Sequence, residues 1–183
     1  FVAAPQHAAA GTFTSMPDIF VAMDGVTYTG DYATECNSTG YKATGTDDSE
    51  LIQDAMDSGE EGSVVYLCAG TYDIDNYLDP DYFGLTLVGA GQGVTTLHAS
   101  GNRILQLNLG ATISIYDMTL SGGRAEEGVS NPDNGSGGAI AAYSGGSLLI
   151  DHVTFDDNQA ENVGGAIWWT SDYLIATVSI SNS

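Results

Sequence analysis

Carboxylates are the reactive groups this chain offers most freely, and Asp156-Asp157 is the pair whose spacing first invites a chemical reading. Cleaving a glycosidic bond takes two carboxyl groups about 5–10 Å apart, one to donate a proton and one to activate water or attack. Adjacent strand residues point to opposite faces, so this pair meets the requirement only at a turn. Asp117 and Asp151 would approach each other if they sat on neighbouring coils of a stacked structure. With 24 acidic residues in the chain such proximity also arises by chance, and solvated turn carboxylates are the plainer reading.

The same groups are hard oxygen ligands. Glu126, Glu127, Asp133, Asp156 and Asp157 form a candidate calcium set, although none matches the twelve-residue loop of an EF-hand. Calcium is the one candidate cofactor, and none is required. His7, His98 and His152 are scattered, with no HExxH motif. Trp168-Trp169 is expected to pack one ring and turn the other outward, where an indole can stack on a sugar or a protein partner. The Gly-Gly pairs lack the Lys-Ser/Thr of a phosphate-binding loop.

Cys36 and Cys68 have no further partners at zinc-site spacing, so in an exported chain they are expected as a disulfide. Closing a loop of that length contributes about 3 kcal/mol in the chain-entropy model. Asn37 and Asn134 head the glycan-acceptor sequons Asn37-Ser38-Thr39 and Asn134-Gly135-Ser136.

Charge narrows the partners. Against 24 acidic residues stand Lys42, Arg103 and Arg124 alone, a net charge of −21. Such a surface repels phosphate backbones and anionic lipids, which disfavours nucleic acid and membrane surfaces. No apolar run approaches the roughly 20 residues needed to span a bilayer, so direct insertion is not expected. Phe1–Ala10 resembles the end of a secretory signal, with small residues at Ala8, Ala9 and Ala10, so a secreted or cell-surface location is expected.

The elements that must position these groups follow from periodicity. Residues 1–45 read as an irregular, strand-bearing leader without a helix, in which Ile19, Val21 and Met23 face one way along a strand and Val26 and Tyr28 along a second. Thr46–Glu50 supplies capping residues, and Leu51, Ile52, Ala55 and Met56 follow at helical spacing until Gly59, predicting a helix over about 47–58. From about Ser63 short strands alternate with Gly-rich turns. Gly-Gly-Ala-Ile occurs at Gly137–Ile140 and again 27 residues later at Gly164–Ile167, a repeat suited to one coil of a solenoid. Ile115, Met118 and Leu120 align with Ile150, Val153 and Phe155 at an offset of 35, and then with Ile175, Val178 and Ile180 at an offset of 25. Thr119, Thr154 and Ser179 form an outward column in this alignment, and Asp117, His152 and Thr177 share the bend. The fold class is therefore all-β, a solenoid of parallel coils over 46–183 that begins with a short helix.

Asp48–Tyr72 and Leu85–Gly91 resemble the capped N-terminal end of pectin-lyase-like β-helices, and the resemblance implies an all-β, right-handed parallel β-helix over 46–183 with a short N-terminal capping helix. The Gly-Gly-Ala-Ile units with Phe155-Asp156-Asp157-Asn158 resemble the repeats of chlamydial-type polymorphic outer membrane proteins. The first resemblance implies that a lyase would use an Arg or Lys base beside acidic residues holding calcium. Lys42, Arg103 and Arg124 form no basic cluster for a polyanion. The expectation is an exported, non-catalytic surface protein, acting in adhesion or as a structural subunit with copies of itself or other surface proteins. The alternative is a polysaccharide hydrolase or lyase, or a sugar-binding module, on the same solenoid. The last strand-like segment, Tyr173–Ile180, reaches Ser183 without a capping helix. A longer chain, a paired subunit or a covering leader strand would each close that end, and Phe1–Tyr28 acting as an assembly strand would give a head-to-tail filament.

Overall fold

The computed structural model describes residues 16–80, 84–108, 110–126, 135–143, 146–170 and 176–183. In chain order the elements are β1 (Ile19–Met23), α1 (Ala33–Ser38), β2 (Tyr41–Ala43), α2 (Ser49–Asp57), β3 (Val64–Leu67), β4 (Gly70–Ile74), β5 (Leu85–Gly89) and β6 (Thr95–Ala99). They continue through β7 (Leu105–Leu107), β8 (Thr112–Ser121), β9 (Arg124–Ala125), β10 (Ile140–Ala142), β11 (Gly146–Asp156), β12 (Gln159–Ala160), β13 (Ile167–Trp169) and β14 (Ala176–Ser181). Every registered strand pair among them is parallel. The chain winds as a right-handed parallel β-helix, and the largest sheet runs β14-β11-β8-β5-β3-β1-β2.

Stacking puts like on like. Val65, Leu87, Ile115 and Ile150 lie in one register column and are fully buried. Tyr72, Leu97, Leu120 and Phe155 form a second column one sheet further round. Each fully buried Leu or Ile stabilises by roughly 1.5–3 kcal/mol, so the columns dominate the energetics. Strands β8 and β11 serve two sheets each because Asp117 and His152, both at φ 54, turn the chain between their halves. The bend shifts the inward parity by one, which is why Ile115 and Met118, three residues apart, both face the core.

Helix α2 closes the N-terminal end with Ile52, Ala55 and Met56 buried. Asp48 stands at its N-cap position, but its side chain does not cap the helix. Its carboxylate accepts the backbone N–H of Thr44 at 2.7 Å, of Gly45 and of Asp73, while Ser49 Oγ accepts from Asp75 and Asn76. These bonds tie the cap to the first coil.

The expected break at residue 45 does not separate two bodies. β1 pairs with β3 on one side and β2 on the other, with Val21 and Ala43 in the common core. A strand paired on both edges has no edge left to offer, so the segment does not fit the assembly-strand expectation; residues 1–15 lie outside the described part. No strand forms at Val26 and Tyr28, and α1 occupies a region where no helix was expected. Cys36 of α1 is bonded to Cys68, with Cα atoms 6.1 Å apart. The strap covers Tyr66 and Val88 on the outer face of the sheet, with Tyr32 edge-on to Tyr66 at 4.9 Å. Burial, with Tyr32, Asp31 and Asp117 nearby, pushes the Tyr66 phenol up to about 12.

The repeat alignment holds for its first interval and fails for its second. Ile115, Met118 and Leu120 do pair with Ile150, Val153 and Phe155. Val178 and Ile180, however, pair with Leu148 and Ile150, an offset of 30 (178 − 148), and Ser179 pairs with Leu149. Ile175 lies outside the described residues. An apolar-x-apolar run fits either half of a bent strand equally well, and only the bend decides. That bend is Asn182, at φ 51, rather than Thr177.

The Gly-Gly-Ala-Ile units stack in register, Ile140 on Ile167. A Cβ on Gly138 would overlap the Gly165 carbonyl and meet Gln159 backbone at 2.6 Å, so two coils touch there through bare backbone. Gly138→Ala should destabilise by about 2 kcal/mol or more. Gly84→Ala, where a Cβ meets nothing within 4 Å, should stay within about 1 kcal/mol of wild type. Urea unfolding of the two variants checks this; equal midpoints would contradict the packing described.

Candidate functional site

The apolar column Tyr72–Leu97–Leu120–Phe155 has two outward neighbours. On one side run Thr71, Thr96, Thr119 and Thr154, and on the other Asp73, His98, Ser121 and Asp156, each set in register on β4, β6, β8 and β11. Strands stack about 4.8 Å apart, so these eight side chains form a flat polar face about 14 Å long. Its ends are open, with Thr71, Thr154 and Asp156 exposed, and its centre is sheltered, with Thr119 and Ser121 buried.

His98 is held in that centre. Its Nδ1 lies 3.0 Å from Ser121 Oγ. A Cβ on Gly122 would sit 2.7 Å from the His98 ring and overlap the Ala99 carbonyl, so the imidazole lies directly against backbone that only glycine leaves clear. Thr119 Oγ accepts the Gly93 N–H at 2.9 Å, which fixes the neighbouring hydroxyl. An imidazole with one nitrogen anchored is suited to take or give a proton through the other. Asp73 stands one rung to one side of it and Asp156 two rungs to the other. Three rungs apart, these carboxylates are too distant to be a glycosidase pair by themselves. At the margin Arg124 opens β9, and its Nη1 donates to Gln159 Oε1 of β12 at 3.0 Å.

Residues 35–131 match the family model described as rhamnogalacturonase A/epimerase, pectate lyase-like, over just more than half of the 183 residues. The chain belongs to that family. A comparison with curated proteins gives no match. Among solved structures it is similar to a mutant of the PL6 family alginate lyase AlyGC, at a TM-score of 0.49 and 16% identity. That similarity covers 97% of this chain, which spans 22% of the lyase's length.

Membership of a rhamnogalacturonase A/epimerase family overturns the expectation of a non-catalytic chain, and favours the carbohydrate-active alternative over adhesion. The matched segment contains β3 to β8, and with them Asp73, His98 and Ser121, but neither Gly-Gly-Ala-Ile unit. The polymorphic outer membrane protein resemblance, carried by those units and Phe155–Asn158, is not shown by these comparisons.

The residues nominated by sequence are dispersed. Asp156 belongs to the polar face, but Asp157 sits in a left-handed turn at φ 49. Glu127, Asp133 and Asn134 lie outside the described residues. Among those described, including Glu126, Asp156 and Asp157, no three His, Cys, Asp or Glu side chains gather to hold a metal ion. Trp169 packs against the core, while Trp168 meets the Tyr143 ring edge-on at 5.3 Å. Asn37 exchanges two hydrogen bonds with the backbone of Tyr28. Arg103 is buried: it donates to the carbonyls of Ser136 and Gly137 and to Gln106 Oε1, stapling the approach to the first Gly-Gly-Ala-Ile. The polar face itself was overlooked, although its signal is in the sequence: Thr71-Tyr72-Asp73, Thr96-Leu97-His98, Thr119-Leu120-Ser121 and Thr154-Phe155-Asp156 repeat Thr, apolar, polar four times.

Asp151 ties the last two coils. Its Oδ1 accepts from Asn182 Nδ2 and Ser181 Oγ, each at 2.8 Å, and His152 Nδ1 lies 3.2 Å from Oδ2. The Asn182 bond, then the Ser181 bond, hold its carboxyl below the usual carboxylate range. A carboxyl lowered in the folded state contributes stability above its unfolded value of about 4, and loses it as pH falls through the folded value. Solvent near the group keeps this contribution under about 1 kcal/mol. Asp151→Asn should therefore be slightly less stable than wild type at pH 7, with the gap closing towards pH ~2. Urea midpoints across that range provide the measurement, and a gap that widens in acid would refute the assignment.

Proposed function

We propose that this chain is the β-helix portion of an exported polysaccharide-cleaving enzyme, with a glycan lying across the coils on the Thr71–Asp156 face and His98 as the proton-transfer group. The observation that carries this reading is the register of Asp73, His98 and Ser121 on three adjacent strands, inside the segment matching a rhamnogalacturonase A/epimerase family. Family membership supports carbohydrate chemistry, and the face supplies what such chemistry uses. Threonine hydroxyls repeat at the strand spacing and can exchange hydrogen bonds with sugar hydroxyls over several residues. The anchored imidazole sits midway, where a bound chain would cross it. Both hydrolysis and elimination need a group that moves a proton at the scissile linkage, and His98 is the imidazole on this face.

Export is supported by the Cys36–Cys68 bond, since disulfides persist in oxidising compartments. Among the described residues no helix is long and apolar enough to cross a membrane.

The test is turnover on a panel of plant, algal and bacterial polysaccharides, with and without calcium, read as new reducing ends and as the absorbance of unsaturated sugars. His98→Ala should lower turnover about 100-fold or more while leaving the thermal midpoint nearly unchanged. Full activity in that variant would remove His98 from the chemistry, and no product from any member of the panel would overturn the reading.

A further inference from the structure

Resting on that reading, we infer that the face selects uncharged glycans, and that Asp73 and Asp156 are the residues that turn polyuronates away. The whole chain has three basic residues, and all three lie among the described residues. Lys42 Nζ donates to the Cys36 carbonyl at 2.8 Å, under the disulfide strap. Arg103 is buried and bonded to backbone carbonyls. Arg124 is exposed at the margin of the face, where Gln159 holds its Nη1. None of them stands on the eight outward positions of β4, β6, β8 and β11.

What does stand there is hydroxyl, imidazole and carboxylate. Asp73 is on the first rung and Asp156 on the fourth, so a glycan lying across all four rungs passes both. A polymer with a carboxylate on each sugar would bring negative charge alongside both groups, within a net field of −21. Unit charges a few ångströms apart repel by about 1 kcal/mol even in water, and by more beside a sheltered surface. An uncharged chain incurs no such cost and can use every threonine. Divalent ions could bridge carboxylates to a polyuronate, but no three candidate ligands gather among the described residues. The two aspartates thus act as a filter at either end of their own row, leaving its centre to His98 and Ser121.

The experiment is retardation in native gels carrying a soluble glycan, run at pH ~8 so that the polyuronate is fully ionised. Galactomannan and xyloglucan serve as uncharged probes and polygalacturonate as the polyanion. Wild type should be retarded by an uncharged probe, with affinity changing less than about twofold between roughly 20 mM and 0.5 M salt. Polygalacturonate should bind at least about tenfold more weakly at low salt. The double variant Asp73→Asn, Asp156→Asn should gain about tenfold for polygalacturonate relative to the uncharged probe at low salt, so that the ratio of the two affinities moves by about that factor. Tighter binding of polygalacturonate by wild type, or binding that needs calcium, would overturn the charge filter while leaving the polysaccharide reading intact. An unchanged preference in the double variant would also overturn it. Retardation by none of the probes would overturn the glycan face itself, and the filter with it.

Discussion

Everything in this fold follows from one constraint: each inward side chain must be covered by the side chain at the same position one coil away. A single coil cannot bury its own apolar residues, so the interior exists only as columns such as Val65–Leu87–Ile115–Ile150. Register is then costly to change, because a one-residue slip would turn every inward side chain outward. The last described rung shows the same rule from the other side. Ile180 continues that column, yet it is 52% exposed because nothing described lies over it.

Inward register imposes outward register without further design. Once Tyr72, Leu97, Leu120 and Phe155 are aligned by packing, the residues flanking them are aligned too. A Thr-apolar-polar tripeptide, repeated wherever the chain reaches this sheet, therefore becomes two straight rows in space. The rows are a by-product of burial, but their chemistry is not, since an outward position tolerates almost any polar residue. That Asp73, His98 and Ser121 occupy adjacent rungs, with a glycine making room for the imidazole, is where the sequence departs from what packing alone would ask.

The features legible in the sequence were those that repeat with the core. The capping helix, the interior residues of β8 and β11, the disulfide and the stacked Gly-Gly-Ala-Ile units were all read from apolar spacing, cysteine count or self-similarity. Where reading failed, the local pattern was compatible with two answers. Val178 and Ile180 suit either half of a bent strand, and nothing short of the left-handed Asn182 distinguishes them. Residues 1–45 read as a leader because they are Gly-, Thr- and Ala-rich with only short alternating stretches, yet pairing of β1 with β3, and of β2 with β1, draws both strands into the first coils. The polar face was missed for a related reason. Coil lengths differ, so its members are 25, 23 and 35 residues apart and show no fixed period, although each sits beside an apolar residue that does stack. Asp156 was noticed for its neighbour Asp157, whereas its partner across the strands is Ser121.

Buried polar groups mark the places where the coil rule is interrupted, and their bonding separates scaffold from site. Asp48, Arg103 and Thr95 are all withdrawn from water, and each is bonded to backbone at a point where coils, cap or loop must be joined. Such groups are poor candidates for chemistry, because a donor or acceptor committed to the backbone cannot be released without leaving a buried atom unsatisfied. Arg103 is the clearest case: the most deeply buried cation in the chain is spoken for by two carbonyls and an amide. His98 differs in kind. Its recorded bond is to a side-chain hydroxyl, its ring lies against glycine, and it faces a row of polar groups open to solvent at both ends. A side chain held firmly on one side and left accessible on the other is the arrangement proton transfer to a bound chain requires.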